Sequence, residues 1–531
     1  MKWLIRPAGL IVLSLLLVAL AALIVLYPDL GLGGPRAARV PSGSREIVWL
    51  MPATSGVSWE RLVQAMKRSA QGQQLQIQET RDAADLLPEV ILRGAGEPIY
   101  FRWYKLTSDW TADYWCQQLL RREPPPLAII SGSTTNMARQ VATALHEQAQ
   151  ALEPDRRPLL LLTTATADSR DTHEESETTP EATLESLYPG RTYRLCFTNR
   201  QMARAVTRFL WSRPDLKPDR GPVLTAQWID DGYSRDLFLG YQKELERRKV
   251  ESEWQLLGAI FRPMPLDAML WCGLPLAPVS SDLPIPLRIE TSVGTFNAPN
   301  TFEARSVRYL LEELRRPDVA QNMPRRPLLV VTGQIGPTRR FVRELARWDP
   351  NLARRFVVAS GDAISFDHVY RDRRITWPVQ DLPVVLVFFS HRNPVDPRAG
   401  FLAEGQPLAS PTTASSTATL RLYEDIIDAL VFAAPEAETA EQLRQGLSQV
   451  RFLRGRLTLD AAGSPLFGAD GRRNSSTGEH VVCVRPMFIE GQAVPEALIE
   501  IWRQDPTGRW VQVGDALTVS YHDQERADDR P

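Results

Sequence analysis

The sequence predicts an α/β chain of two similar lobes, each built on a mainly parallel sheet, behind an N-terminal transmembrane helix. Three observations predict the two lobes. Short apolar runs rich in β-branched residues alternate with amphipathic stretches of helical length, the pattern of βαβ units. The alternation occurs twice, with an acidic break over 168–186 ("DSRDTHEESETTPEATLES") between the two sets. A chain of 531 residues is also long enough for two or three ordinary domains.

The N-terminus carries the clearest local signal. Lys2 and Arg6 precede an uncharged apolar run, Ala8 to Tyr27, closed by Pro28 and Asp29. Some 20 residues at a rise of about 1.5 Å reach roughly 30 Å, the thickness of a hydrocarbon core. A cleaved signal peptide has a shorter apolar stretch and a small-residue cleavage site, whereas "ALAALIVLYP" stays bulky to its end. The expectation is an uncleaved anchor over 1–28, spanning the cell membrane once, with Lys2 and Arg6 inside and the rest extracytoplasmic. The Pro/Gly/Ser-rich stretch 29–44 is a linker.

The first lobe starts at Arg45 and runs to 192. "EIVWLM" (Glu46–Met51) reads as a strand, "VSWERLVQAMKRSA" as a helix, and "QLQIQE" as a half-buried strand. "PIYFRWYK" (Pro98–Lys105) is a strand and "SDWTADYWCQQLL" a helix capped by Ser108. "PLAIISG" (Pro126–Gly132) is a buried strand, followed by the helix "STTNMARQVATALHEQAQ" and the strand "RPLLLLTTATA". The acidic stretch then reads as an exposed insertion; His173 within it lacks a second histidine at ligand spacing.

The second lobe covers 193–361. Its expected elements are the strand "GPVLTAQWI", a turn and helix beginning at Trp228, the strand "SEWQLLGAIF", and a proline-rich insertion over 263–290. Then come the helix "NTFEARSVRYLLEELRR" with an Asn300/Thr301 cap, the strand "RPLLVVTG", a helix from Thr338 and the strand "RRFVVASG". The part 362–455, with the strand "LPVVLVFFS" and two helices, is assigned back to the first lobe. The antiparallel strands of 456–531 are assigned back to the second lobe, with a tail.

Composition excludes several functions. Net charge is −1 with acids and bases balanced, so no electrostatic footprint for nucleic acid appears. Cys116, Cys196, Cys272 and Cys483 are far apart, which fits dispersed buried thiols or one long-range disulfide, not a zinc site. Neither a GxSxG elbow nor a P-loop, an HExxH or a CxxC is found, and the histidines are scattered. No enzyme activity, metal or cofactor is expected. His368 and His391 read as packing or surface histidines, and "SHRNPVDP" as a loop after a strand.

Several stretches together resemble the type I periplasmic-binding-protein family, in particular its Leu/Ile/Val-type receptors, from about Arg45 to Pro486. They are "LAIISGSTTNMARQVATAL", "TYRLCFTNRQMARAVTRFL", "WIDDGYSRDLFLGYQKEL", "LRLYEDIIDALVFAA" and "FLRGRLTLDAAGSP". The resemblance implies two Rossmann-like lobes with a ligand cleft at the C-terminal ends of parallel strands. It implies ligand contacts from Ser133, Thr134 and Thr135, one of which otherwise simply caps a helix, and from Thr163 and Thr164 at the next strand end. Tyr233 is either an aromatic closing over the ligand or, with Ser234 as cap and Phe238 opposite, a hydrophobic staple. Asp362 is either the acid that pairs a ligand amine or a surface loop acid. Gln334 is a rim candidate. Asp230 and Asp231 lack a third metal ligand or a nucleophile and read as a strand end. The expected function is binding of a small ligand, such as an amino acid, with an ABC-type permease or membrane sensor as partner. The alternative is a non-catalytic interaction scaffold whose cleft is degenerate or covered.

Overall fold

The structure, a computed structural model, describes residues 35–520 except 169–182, 219–222, 229–230, 248–269, 273–306, 318–324, 367–383, 395–416, 488–495 and scattered positions (74, 95, 308–309, 313, 316, 435, 454–455, 476–477, 506). The N-terminal apolar segment lies outside that set, and among the described residues no helix is long and apolar enough to cross a membrane.

Seven strands form the first sheet: β1 (Arg45–Pro52), β2 (Gln76–Arg81), β3 (Glu89–Arg93), β4 (Ile99–Leu106), β5 (Ala128–Ser131), β6 (Leu159–Leu162) and β7 (Thr192–Arg194). Their order is β2-β3-β4-β1-β5-β6-β7. From β4 to β7 every neighbour is parallel, whereas β2 and β3 attach as an antiparallel pair. β5 and β6, "AIIS" and "LLLL", are buried along their whole length because helices cover both faces.

The second sheet begins with β8 (Leu224–Trp228), β9 (Leu270–Cys272), β10 (Leu328–Val331), β11 (Val357–Ala359) and β12 (Val385–Ser390). A small sheet of β13 (Arg451–Leu453), β14 (Arg456–Thr458) and β15 (Ser464–Pro465) follows. The chain then adds β16 (His480–Met487), β17 (Glu496–Gln504), β18 (Trp510–Gln512) and β19 (Leu517–Ser520) as antiparallel strands on the β12 side of the second sheet.

Both parallel cores share one strand order, second-first-third-fourth-fifth: β4-β1-β5-β6-β7 and β9-β8-β10-β11-β12. This doubly wound order places a crevice at the C-terminal strand ends, where the winding reverses. One strand departs from the pattern, for β9 pairs β8 antiparallel. It comes from the proline-rich stretch expected to be an insertion. The strand expected over 252–261 and the Asn300/Thr301 cap lie outside the described residues, as do His173, His368 and Asp230.

Sequence order does not match lobe order. Helices Thr417–Ala433 and Ala440–Gln449 follow the second sheet's parallel strands, yet their Tyr423, Ile426, Ile427, Leu430 and Leu443 join the first sheet's core beside Ile47 and Trp49. That core holds three indoles in contact, with Trp49 5.3 Å from Trp59 and 5.1 Å from Trp103 between ring centroids. The chain therefore passes between the sheets after β7, after β12 and after β15.

Two helix starts differ from expectation. Thr111, not Ser108, caps the helix Ala112–Leu120, its hydroxyl accepting from the Tyr114 amide. The helix expected from Thr338 begins at Ile335. Cys116, Cys196 and Cys483 are buried free thiols, and burial pushes the Cys196 and Cys483 thiols up to about 12.

Candidate functional site

Tyr233 and Asp362, 129 positions apart in sequence, meet at the C-terminal edge of the second sheet. Tyr233 stands in the first turn of the helix Gly232–Arg247 after β8, and Asp362 in the loop after β11. The Tyr233 hydroxyl donates to Asp362 Oδ1 at 2.9 Å and accepts the Ala363 amide at 3.1 Å. His391, just past β12, completes the cluster with Nε2 2.8 Å from Asp362 Oδ2. The expectation of His391 as a packing or surface residue is corrected: its ring does stack on Phe197, but its outer nitrogen holds the acid.

Hydrogen bonding fixes the His391 tautomer. The Phe197 amide donates to Nδ1 at 3.2 Å, so Nδ1 is the acceptor and Nε2 carries the proton given to Asp362. With Nδ1 engaged by backbone, this imidazole has no nitrogen left to activate a nucleophile. Burial, then the neighbouring Asp362 charge, pushes the Tyr233 phenol well above its ordinary value, so it stays protonated and acts as a donor. Asp362 uses one acceptor position on each oxygen and keeps 22 % of its side chain exposed. A carboxylate has about four such positions, so two remain for a ligand donor.

The start of the Tyr233 helix also differs from the staple expectation. Asp231 caps it, with Oδ1 accepting the Tyr233 amide at 3.0 Å and its carbonyl accepting the Arg235 amide at 3.0 Å. Ser234 lies inside the helix, where its hydroxyl accepts the Trp228 amide at 2.7 Å and contacts the Thr332 hydroxyl. Without Ser234 as cap, the Tyr233–Phe238 staple has no basis.

In the first lobe the hydroxyls hold local structure. Thr134 caps the helix Thr135–Ala149 by accepting the Met137 amide at 3.3 Å, and the exposed Ser133 hydroxyl points to Met137 Sδ. Thr135 Oγ1 lies 3.5 Å from the Ala167 carbonyl. Thr163 is fully buried and donates to the Ser131 and Gly132 carbonyls, and Thr164 reaches those of Gly132 and Ser133. Gln334 is the cap residue of Ile335–Trp348, makes no side-chain cap bond and is exposed. The structure thus brings Tyr233 and Asp362 together, and clusters the five first-lobe residues around Gly132. It shows no hydrogen bond between the two groups among the described residues.

The crossings between the sheets are held by buried charge. Asp425, in the helix Thr417–Ala433, takes Arg473 on Oδ2 and Arg392 on Oδ1, both at 2.9 Å. Arg473 is wholly buried, lies over the Phe197 ring and donates to the Leu195 carbonyl. Beside it, Arg194 bonds Asp168 at 2.6 Å and Glu185 at 2.8 Å, and Arg472 reaches the same two acids. Burial alone would raise the Asp168 carboxyl; Arg194 and Arg472 hold it below the usual range. No group of three His, Cys, Asp or Glu suited to a metal occurs among the described residues.

No protein-family model and no curated protein match the sequence. Solved structures similar to this chain include an ABC transporter substrate-binding protein from Desulfitobacterium hafniense (12% identity, TM-score 0.47, covering 88% of this chain and 100% of that one). Another is a solute-binding protein of an ABC transporter from R. palustris in complex with 4-hydroxybenzoate (9% identity, TM-score 0.44, 89% and 97% covered). A third is LpoA from Haemophilus influenzae (10% identity, TM-score 0.40, 94% and 65% covered). Identities and scores this low leave the functional reading to the geometry of the chain itself.

Proposed function

We propose that this chain is an extracytoplasmic binding protein, tethered to the membrane by its N-terminal apolar segment, that receives a small amine-bearing solute at the Asp362 edge. One observation carries the reading. Asp362, braced by Tyr233 and His391 at the ends of parallel strands, is a partly exposed carboxylate with acceptor positions in reserve. A ligand ammonium there gains charge-assisted hydrogen bonds. The two bracing donors hold the acid in place, so little ordering cost accompanies binding. Delivery to an ABC-type permease or a membrane sensor follows from the tether.

A second reading, an interaction scaffold, is favoured by the first-lobe hydroxyls. Thr134, Thr163 and Thr164 already bond the backbone, which leaves fewer free groups for a solute carboxylate.

Thermal unfolding of the full chain against amino acids and other small amines separates the two. A ligand at a hundred times its dissociation constant stabilises by about 2.7 kcal/mol. Asp362→Asn removes the charge and keeps the shape, and should weaken that ligand at least tenfold. No stabilising compound in the set, or undiminished affinity in the variant, would refute the solute-binding reading.

A further inference from the structure

A cavity of about 330 Å³ opens between the helices Asn199–Ser212 and Gly232–Arg247 and the loop over 468–475. Tyr233, Asp362 and His391 do not line it, so it is separate from the site above. Its charge is one-sided. The two helices contribute Arg200, Arg204, Lys243 and Arg247 against a single carboxylate, Glu244, an excess of three positive charges. Glu244 Oε1 already holds Arg204 Nε at 3.2 Å and Arg247 Nη1 at 3.0 Å. No ion pair within 4 Å joins Arg200 or Lys243 to a carboxylate among the described residues, although Arg200 adds to the charges that hold the Asp168 carboxyl low.

The loop wall offsets only part of this surplus, for it adds one carboxylate, Asp470, 3.9 Å from Arg472 Nε. Arg472 and Arg473 line the cavity, but Asp168, Glu185 and Asp425 neutralise them. The whole chain carries a net charge of −1, so the surplus is local and not the by-product of a basic protein. Like charges gathered around a cavity repel one another unless an anion enters. The Thr198 end of the first helix opens onto the cavity and adds positive partial charge, although its capping box with Gln201 already satisfies two of its amides, and the Ser475 hydroxyl in the wall accepts from Gln201 Nε2. The volume lies at the low end for small-molecule sites, which favours a compact ligand over a peptide.

We propose that this cavity binds a small, multiply charged oxyanion of the phosphate class, independently of the solute site. Arg200 and Lys243 supply the unneutralised charge, while Arg204 and Arg247, now sharing Glu244, turn toward the anion. The test titrates sodium pyrophosphate into the full chain in detergent, with sodium chloride at matched ionic strength as control. Unfolding temperature and heat of binding are the readouts. Pyrophosphate should give a saturable upward shift that chloride lacks. Arg200→Gln combined with Lys243→Gln, both exposed positions, should weaken binding tenfold or more, and Asp362→Asn should leave it unchanged. An equal response to chloride, the absence of a saturable shift, or unaltered affinity in the double variant would overturn the proposal.

Discussion

Replacing Asp425 by alanine tests the account of how the two sheets are held together. The carboxylate is 1% exposed, and its loss takes a carboxylate from the Arg473 guanidinium, which is 0% exposed, and one from Arg392. Breaking a buried ion pair by deleting one side costs about 3–5 kcal/mol, because the remaining charge stays out of water. The Arg392 side chain, 12% exposed, recovers part of its hydration, so the wholly buried Arg473 dominates the cost. With a urea dependence near 3 kcal/mol per molar, the midpoint should fall by roughly 1–1.7 M. Tryptophan fluorescence and far-ultraviolet circular dichroism should be followed together, since two lobes need not unfold as one unit. Asp425→Leu with Arg473→Met removes both charges and should lose less than Asp425→Ala alone. A loss below about 1 kcal/mol for Asp425→Ala, or a double variant worse than the single, would refute the reasoning.

Three other substitutions probe separate parts of the structure. Tyr233→Phe removes the acceptor of the Ala363 amide and one donor to Asp362, and should cost about 1–3 kcal/mol in urea unfolding; an unchanged midpoint would contradict the bonding described. Asp428 is raised to about 6 by burial, with Asp425 and Glu424 adding to the effect against the Ser69 hydrogen bond. A folded-state value above the unfolded one means the native state binds more protons between about pH 4 and 6, so this group's contribution declines as pH rises through that window. Asp428→Asn should therefore stabilise by about 1–3 kcal/mol at pH 7.5 and have little effect at pH 4, and the same gain at both values would exclude this cause. Gly471 has φ +79, and a Cβ there would meet the Thr192 carbonyl oxygen at 2.1 Å, so Gly471→Ala should destabilise by roughly 2–4 kcal/mol in thermal unfolding; a wild-type melting temperature would show that the contact relaxes.

Most parallel strands were legible because their apolar runs are bounded by glycine, proline or polar residues, as in "PLAIISG" and "LPVVLVFFS". The antiparallel β3 was not, since "EVILR" is only five residues long and follows "DAADLLP" without alternation. Nor was the small strand β9, three residues in a proline-rich stretch. At the site, Tyr233 and Asp362 were singled out but not their mutual bond, which depends on a helix start and a loop after different strands meeting in space. His391 was missed because "SHRNP" looks like any polar loop; its position directly after the strand ending at Ser390 was the usable signal. The buried charges were invisible for a related reason. Arg473 and Asp425 lie 48 positions apart, and each alone resembles a surface residue.

The return of Thr417–Ala433 and Ala440–Gln449 to the first sheet also sets the timetable of synthesis. The first sheet's core cannot close until residue 449 has left the ribosome, although β1 begins at residue 45. At about 5–20 residues per second that interval is roughly 20–80 s. Throughout it, the face of the helix Gly56–Gln73 that packs against Thr417–Ala433 has nothing to cover it. The second sheet waits longer still, for β16 to β19. Neither lobe can close its core before most of the other has been synthesised.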